Sequence, residues 1–436
     1  MTEDSHKAGA TAWYAVVLLG ALYIVAFVDR VILALLVAPL KEEFGVSDTQ
    51  ISLLIGFNFA LFYALVGLPM GRLADRANRR NLILASTAVW AACTFLSGTA
   101  TAFWVLCVLR IGVAVGEAAL SPSAISMIGD LFPRDQRGRA TALYMAMGAT
   151  GATGGYILGG HMVGAIGQHE MIAIPFLGDF KPWQTVFIAV ASPAILLAGL
   201  MLATLREPPR LSLAAEPTPS TRPFAWATRL WRPLLLLFVA GSTGQTMVHG
   251  MGTWAPTYIV REFGWQIGQA GVRVGVVTMV GGVGGMIIWP LVTEWWTRRG
   301  RPDALPLVLT FGLLAGAAMM IAAALAPSAL LFLAAYALAM FFLMGTGVLL
   351  MVAIQIFAHP TMRGELMAVC LLLTALIALG LGPTLVPLIG GWVGGPDDNL
   401  RSGFVAVALL TGPLAALVVH IARPGLLRLR REGWAA

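Results

Sequence analysis

Apolar residues in this chain gather into long runs, and short polar breaks interrupt the runs from one end to the other. A bilayer's hydrocarbon slab, about 30 Å thick, is crossed by a helix of roughly 20 apolar residues. Twelve such segments are read, near 12–39, 51–73, 81–101, 103–129, 140–166, 183–205, 233–260, 271–296, 305–326, 328–357, 365–390 and 402–422. Two of the breaks share their wording. Gly71-Arg-Leu-Ala-Asp-Arg-Ala-Asn-Arg-Arg80 follows the second segment, and Pro290-Leu-Val-Thr-Glu-Trp-Trp-Thr-Arg-Arg299 follows the eighth. From Asp75 to Glu294 is 219 positions, and the same step carries Glu43-Phe44-Gly45 onto Glu262-Phe263-Gly264. Arg137-Gly138 recurs as Arg363-Gly364 after a step of 226. A span-and-loop grammar repeated halfway along predicts an all-α membrane protein, with twelve transmembrane helices in two pseudo-symmetric six-helix bundles and a solute path between the halves. The N-terminal bundle is set at 1–205, a cytoplasmic linker at 206–232 and the C-terminal bundle at 233–436. The linker is proline-rich and charged, with a short surface helix expected around Trp226–Trp231.

Composition leaves little room for a soluble alternative. Of the 436 residues, 58% are hydrophobic and 11% charged, too few polar groups to cover a globular surface. The net charge of +7 stops pointing to nucleic acid once the arginines are placed. They crowd alternate loops: Arg72, Arg76, Arg79 and Arg80, then Arg134, Arg137 and Arg139, later Arg298, Arg299 and Arg301, and the tail with Arg428, Arg430 and Arg431. By the positive-inside rule both termini are cytoplasmic, in a cell's inner membrane, and the basic loops meet anionic lipid heads. Cys93, Cys107 and Cys370 fall inside spans and read as packing residues, not as a disulfide or metal set. No cleavable signal peptide is read, because the first run is too long and carries Asp29 and Arg30. Residues 167–182 are expected to form an ordered external turn. Glycines at 148, 151, 154, 155, 159 and 160 line the fifth span, where they let helix backbones approach closely. A competing role for them is to let the span slide or bend.

Reaction chemistry is missing. No Gly-x-Ser-x-Gly elbow, His-Glu-x-x-His pair or Gly-x-x-x-x-Gly-Lys phosphate loop occurs, so an enzyme or an ATP-driven pump is not expected, and no cofactor or metal is implied. Four ionisable residues, Asp29, Arg30, Arg110 and Glu117, lie at membrane depth. A charge there costs at least about 2.5–3.5 kcal/mol on insertion scales, so each should face the bundle interior and find a partner. Asp29 and Arg30 point about 100° apart and must look to different helices. Arg110 and Glu117 lie two turns apart on one face and are too distant to pair. Arg30 is therefore expected to pair with Glu117 across the first and fourth spans. A permanent ion pair that fixes helix register is the competing role. Proton handling is favoured because all four charges fall in the first half, where a cation near a buried carboxylate sets its proton affinity. The 219-residue step puts His249 opposite Arg30 and Tyr336 opposite Glu117, which suggests substrate shaping in the second half. Further cavity candidates are Asn58, Tyr63, Tyr144, Gln245, Thr253, Trp254, Thr257 and Thr346. Phe341, Phe342 and Met344 are read first as packing residues.

Several of these stretches resemble the major facilitator superfamily and, within it, the spinster-like branch. Gly71-x-Leu73-x-Asp75-Arg76-x-x-Arg79-Arg80 is similar to the loop motif after the second span, with Asn78 in place of its internal glycine. Asn tolerates left-handed backbone, so the turn is expected to survive. Asp29-Arg30-Val-Ile-Leu, Arg110-x-Gly-x-x-x-Gly-Glu117-Ala and Ile128-Gly-Asp-Leu-Phe132 resemble spinster motifs of the first and fourth spans. The glycine motif of the fifth span is similar to one of exporting antiporters, except that Tyr156 replaces its proline. The resemblance implies alternating access and a lysolipid or sphingolipid cargo. It also implies a cytoplasmic latch of Gly71, Asp75, Arg76, Arg79, Arg134 and Arg137, in which Asp75 pairs with Arg134 or Arg137 and faces the start of the eleventh span near Gly364.

The chain is accordingly read as a monomeric secondary transporter, proton-coupled, moving an amphipathic lipid such as a lysophospholipid or a sphingosine-phosphate-like compound. Its partners are membrane lipids, protons and the small substrate, with no nucleic acid. The alternatives are a proton-coupled carrier of small organic anions or drugs, and a passive lipid scramblase.

Overall fold

The computed structural model describes residues 9–210, 231–358, 363–395 and 399–432. Twelve helical spans run through them: α1 Ala10–Leu35, α2 Asp48–Arg76, α3 Arg79–Ser97, α4 Phe103–Leu131, α5 Arg134–Ile166 and α6 Pro182–Thr204, then α7 Trp231–Phe263, α8 Ile267–Arg298, α9 Ala304–Ala324, α10 Ala329–Phe357, α11 Leu366–Val393 and α12 Asn399–Glu432. Among the described residues ten of these are long and apolar enough to cross a bilayer. The other two, α3 and α5, open on charged turns (Arg79-Arg80 and Arg134-Asp135) and carry many Ser, Thr and Gly residues, which dilutes their hydropathy. The surface helix expected around Trp226–Trp231 falls outside the described residues, except for Trp231, which opens α7.

Helices dominate because a span without water must satisfy its backbone groups within itself. Proline survives inside α2 (Pro69), α6 (Pro193), α8 (Pro290) and α12 (Pro413, Pro424) on that footing. Among the described residues two stretches widen to π-helix, Leu53–Asn58 in α2 and Thr374–Leu381 in α11. α12 runs ten residues past its expected end because Ala422, Leu426 and Leu429 continue a buried stripe while Arg428, Arg430 and Arg431 stay outside.

The chain gathers into two compact units, Met1–Ala215 with Gln266–Gly275, and Glu216–Trp265 with Val276–Ala436. In the first, α1 lies along α5 so closely that a Cβ on Gly151 would stand 2.7 Å from the Cα of Ile24. α3 packs against α4 and α6. The second has a core of Leu234, Leu237, Phe238, Leu309, Leu313 and Leu350, closed by Val419 and Leu426 of α12. The segment expected as an external turn is a small antiparallel hairpin, β1 Ile172–Ile174 and β2 Gly178–Phe180, with Ile172 opposite Phe180. Lys181 at its foot donates to both oxygens of Glu43, at 2.9 and 2.7 Å.

Candidate functional site

Four charges meet inside the first unit and sort into two pairs of different character. Asp29 is fully buried, and both its oxygens are occupied. Oδ1 accepts from Arg110 Nη1 at 3.0 Å, and Oδ2 accepts from Trp90 Nε1 at 3.0 Å and Thr94 Oγ1 at 2.5 Å. Trp90 and Thr94 stand one turn apart on α3, so a single helix face presents both donors. Arg110 is itself buried, and its Nε has no partner among the described residues. This pair is sealed.

The second pair is open on one side. Arg30 Nε donates to Glu117 Oε2 at 2.6 Å, the contact expected between the first and fourth spans. The Glu117 side chain is 0% exposed whereas that of Arg30 is 17% exposed. Aromatic rings hold the guanidinium in place: its central carbon lies 5.0 Å from the ring centre of Phe27 and 4.8 Å from those of Phe59 and Tyr63. A cation over three ring faces is stabilised electrostatically while its terminal N–H groups stay free to point elsewhere. Glu117 Oε1 is buried with no hydrogen-bond partner among the described residues. A buried acceptor left bare is costly, and among the four charges it is the one carboxylate oxygen without a donor among the described residues. Nearby, Tyr23 stacks on Tyr144 at 4.8 Å, and the Tyr144 hydroxyl lies 3.0 Å from Ser121 Oγ.

Other expected cavity residues are engaged in packing. Asn58 donates to the Cys107 carbonyl at 3.0 Å. In the second unit Gln245 Nε2 donates to the Leu343 carbonyl at 2.8 Å and to Thr346 Oγ1 at 3.0 Å, and Thr346 donates in turn to that carbonyl at 2.6 Å. Trp254, fully buried, donates to the Pro383 carbonyl at 2.8 Å, and the Tyr336 hydroxyl meets Thr278 Oγ1 at 2.9 Å. Thr253 and Thr257 are buried, and His249 is half-buried with its Cβ against Gly382. Within this unit the hydroxyl, amide and indole groups of Gln245, Trp254, Tyr336 and Thr346 tie helices together.

The loop after α2 differs from expectation in its detail. Asn78 is extended, at φ −66° and ψ 111°, not left-handed; its side chain caps α3 by accepting from Asn81 N at 2.9 Å. Asp75 is exposed, and among the described residues no ion pair joins it to Arg137, whose Nε donates instead to the Phe132 carbonyl at 2.9 Å. The side chain of Arg134 and the surroundings of Gly364 lie outside the described residues, while Gly71 and Arg76 sit on the last turns of α2. Arg79 is the buried member. It pairs with Asp130, donates to Glu207 at 2.7 Å and reaches the Pro208 carbonyl at 3.0 Å. Glu207 also accepts from Arg80 N at 2.8 Å, and Arg210 donates to the Ala74, Asp75 and Ala77 carbonyls at the end of α2. The stretch after α6 is thus bound to the first unit.

A family model, the Major Facilitator Superfamily, matches residues 19–379. The chain belongs to that superfamily. It is similar, at 27% identity over 94% of its own length and 90% of the other's, to an MFS-type efflux pump of Mycolicibacterium smegmatis. It is 26% identical to protein spinster homolog 1 of Xenopus laevis, over 69% of this chain and 58% of that longer protein. Among solved structures, a bacterial homolog of the human lysosomal transporter spinster, inward-facing and occupied, superposes with a TM-score of 0.81 at 24% identity, covering 96% of this chain and 98% of that one. The match fixes the superfamily fold and multi-pass membrane insertion.

Within this superfamily member, Phe27, Phe59, Trp90, Thr94, Asp130 and Glu207 were not singled out by role from sequence. The first four look like ordinary span residues. A usable signal existed for two of them, because Trp90 and Thr94 are an i,i+4 polar pair on one helix. A buried arginine in the first turn of α3 likewise demanded acids, and Asp130 and Glu207 supply them.

Proposed function

We propose that this superfamily member is a secondary carrier working by alternating access, proton-coupled through Glu117, with an amphipathic lipid as cargo. The Arg30–Glu117 pair carries the proposal. Arg30 offers free N–H groups beside three aromatic rings, a setting suited to an anionic head with apolar neighbours. When a substrate anion engages Arg30, Glu117 loses its counter-charge while remaining enclosed. Burial then favours the neutral acid, and the bare Oε1 takes a proton. Release of the anion returns Arg30 to Glu117 and expels the proton. The cargo, a lysophospholipid or sphingosine-phosphate-like compound, is what the spinster resemblance implies, and the similarity to spinster homologs supports that resemblance.

Reconstitution tests this. Proteoliposomes under an imposed pH gradient should accumulate a lysophospholipid, and Glu117→Gln should abolish accumulation while leaving exchange between two equal pools. Full gradient-driven accumulation by Glu117→Gln would sink the assignment. Movement indifferent to the gradient in the unaltered protein would make it a passive scramblase. A second cargo class, drugs or small organic anions, is supported by the likeness to the efflux pump, and competition by such compounds in the same vesicles distinguishes it.

A further inference from the structure

On the basic side of the second unit, arginines outnumber acids and one helix face leads straight to them. Ile287, Leu291 and Trp295 recur every four residues on α8 and all point outward, Trp295 with half its surface exposed. They trace an apolar strip about 12 Å long, at 1.5 Å per residue. The next residue in the series is Arg299, exposed, its guanidinium carbon 3.8 Å from the Trp295 ring centre. Gly300, at φ 81°, lets the chain turn back at this point, and Arg301 lies over Trp296 at 5.6 Å. The end of α12 packs onto the same turn: Arg423 pairs with Asp303, and Arg430 donates to the Pro302 carbonyl at 2.7 Å. Its neighbours Arg428 and Arg431 are exposed and have no partner among the described residues. Of the local acids, Glu294 is taken by Arg298 at 2.5 Å and Asp303 by Arg423. Among the described residues no acidic side chain pairs with Arg299, Arg428 or Arg431.

We propose that this corner is a binding site for one anionic phospholipid of the surrounding leaflet, with the phosphate held by Arg299 and Arg428 and an acyl chain lying along Trp295, Leu291 and Ile287. The charge is complementary to a phosphodiester, and Arg presents the forked donors that phosphate accepts best. An indole beside the headgroup and branched aliphatics below it match the depth profile of a lipid. The site rests on the second unit alone and stands or falls apart from the Arg30–Glu117 proposal.

Native mass spectrometry of the full chain in detergent, titrated with phosphatidylglycerol, reads the occupancy. Phosphatidylglycerol should bind more tightly than phosphatidylcholine of the same chains. Each basic residue near an anionic surface contributes enough that Arg299→Gln with Arg428→Gln should weaken binding about 30-fold. Arg299→Lys with Arg428→Lys should keep most of it, which separates lost charge from lost structure. Equal binding of the two lipids, or undiminished binding by the glutamine pair, overturns the proposal. If glycerol phosphate competes as well as the intact lipid does, the site takes a free anion and the lipid assignment fails.

Discussion

Two carboxylates at membrane depth, Asp29 and Glu117, differ in what is left over after their arginine is counted. Asp29 has donors on both oxygens; Glu117 keeps Oε1 bare. Removing one member of an enclosed pair strands the other, at about 3–5 kcal/mol. Asp29→Ala should therefore lower the thermal midpoint of the purified protein clearly, because Arg110 is left charged among apolar neighbours. Glu117→Gln should lower it less, since Arg30 stays partly exposed over its rings. Equal midpoints for the two variants would erase the distinction between a sealed and an open pair. The Arg30–Glu117 contact was legible in the sequence because each charge in an apolar span must find an opposite one and few were available. Two partners of Asp29 were legible only as a polar pair one turn apart on α3. That Trp90 and Thr94 donate to Asp29 depends on how α3 is turned within the bundle, and single-residue chemistry carries no record of that turn.

Most span positions were legible to within a few residues, since hydrophobic length dictates them; the start of α5 and the end of α12, where charged turns join the helix, and the irregularities inside elements were not. The π stretches at Leu53–Asn58 and Thr374–Leu381 are built from residues that suit an ordinary helix equally well. The glycine run of α5 was legible as close packing, and the structure gives it an address. Gly151 faces the Ile24 backbone, which has no rotamer to swing away, whereas a Cβ at Gly154 would meet nothing within 4 Å. Gly151→Leu should push α1 and α5 apart, at about 1–3 kcal/mol or more for overpacking. Gly154→Ala should stay within about 0.5 kcal/mol of the parent. Thermal midpoints of the two variants check this, and a stable Gly151→Leu protein would mean that α1 and α5 are not held this tightly.

At the scale of the chain, the repeated grammar makes a topological demand that no single contact does. A step of 219 residues, from Asp75 to Glu294, passes through six spans; six is even, so both loops must emerge on one side of the membrane. The arginines agree, crowding the turns after α2, α4 and α8 and the end of α12, while the α5–α6 hairpin and the α7–α8 turn lack that excess. Single cysteines placed in a background without Cys93, Cys107 and Cys370 read the sides directly. Phe176→Cys at the hairpin tip and Gln266→Cys between α7 and α8 are exposed and should react with a membrane-impermeant maleimide on intact cells. Arg139→Cys and Arg301→Cys, equally exposed, should react only after the membrane is opened. If Arg301→Cys reacted from outside while Arg139→Cys did not, the chain would cross an odd number of times between them. The two basic loops would then face different compartments, and the halves could not be six-span bundles of the same orientation.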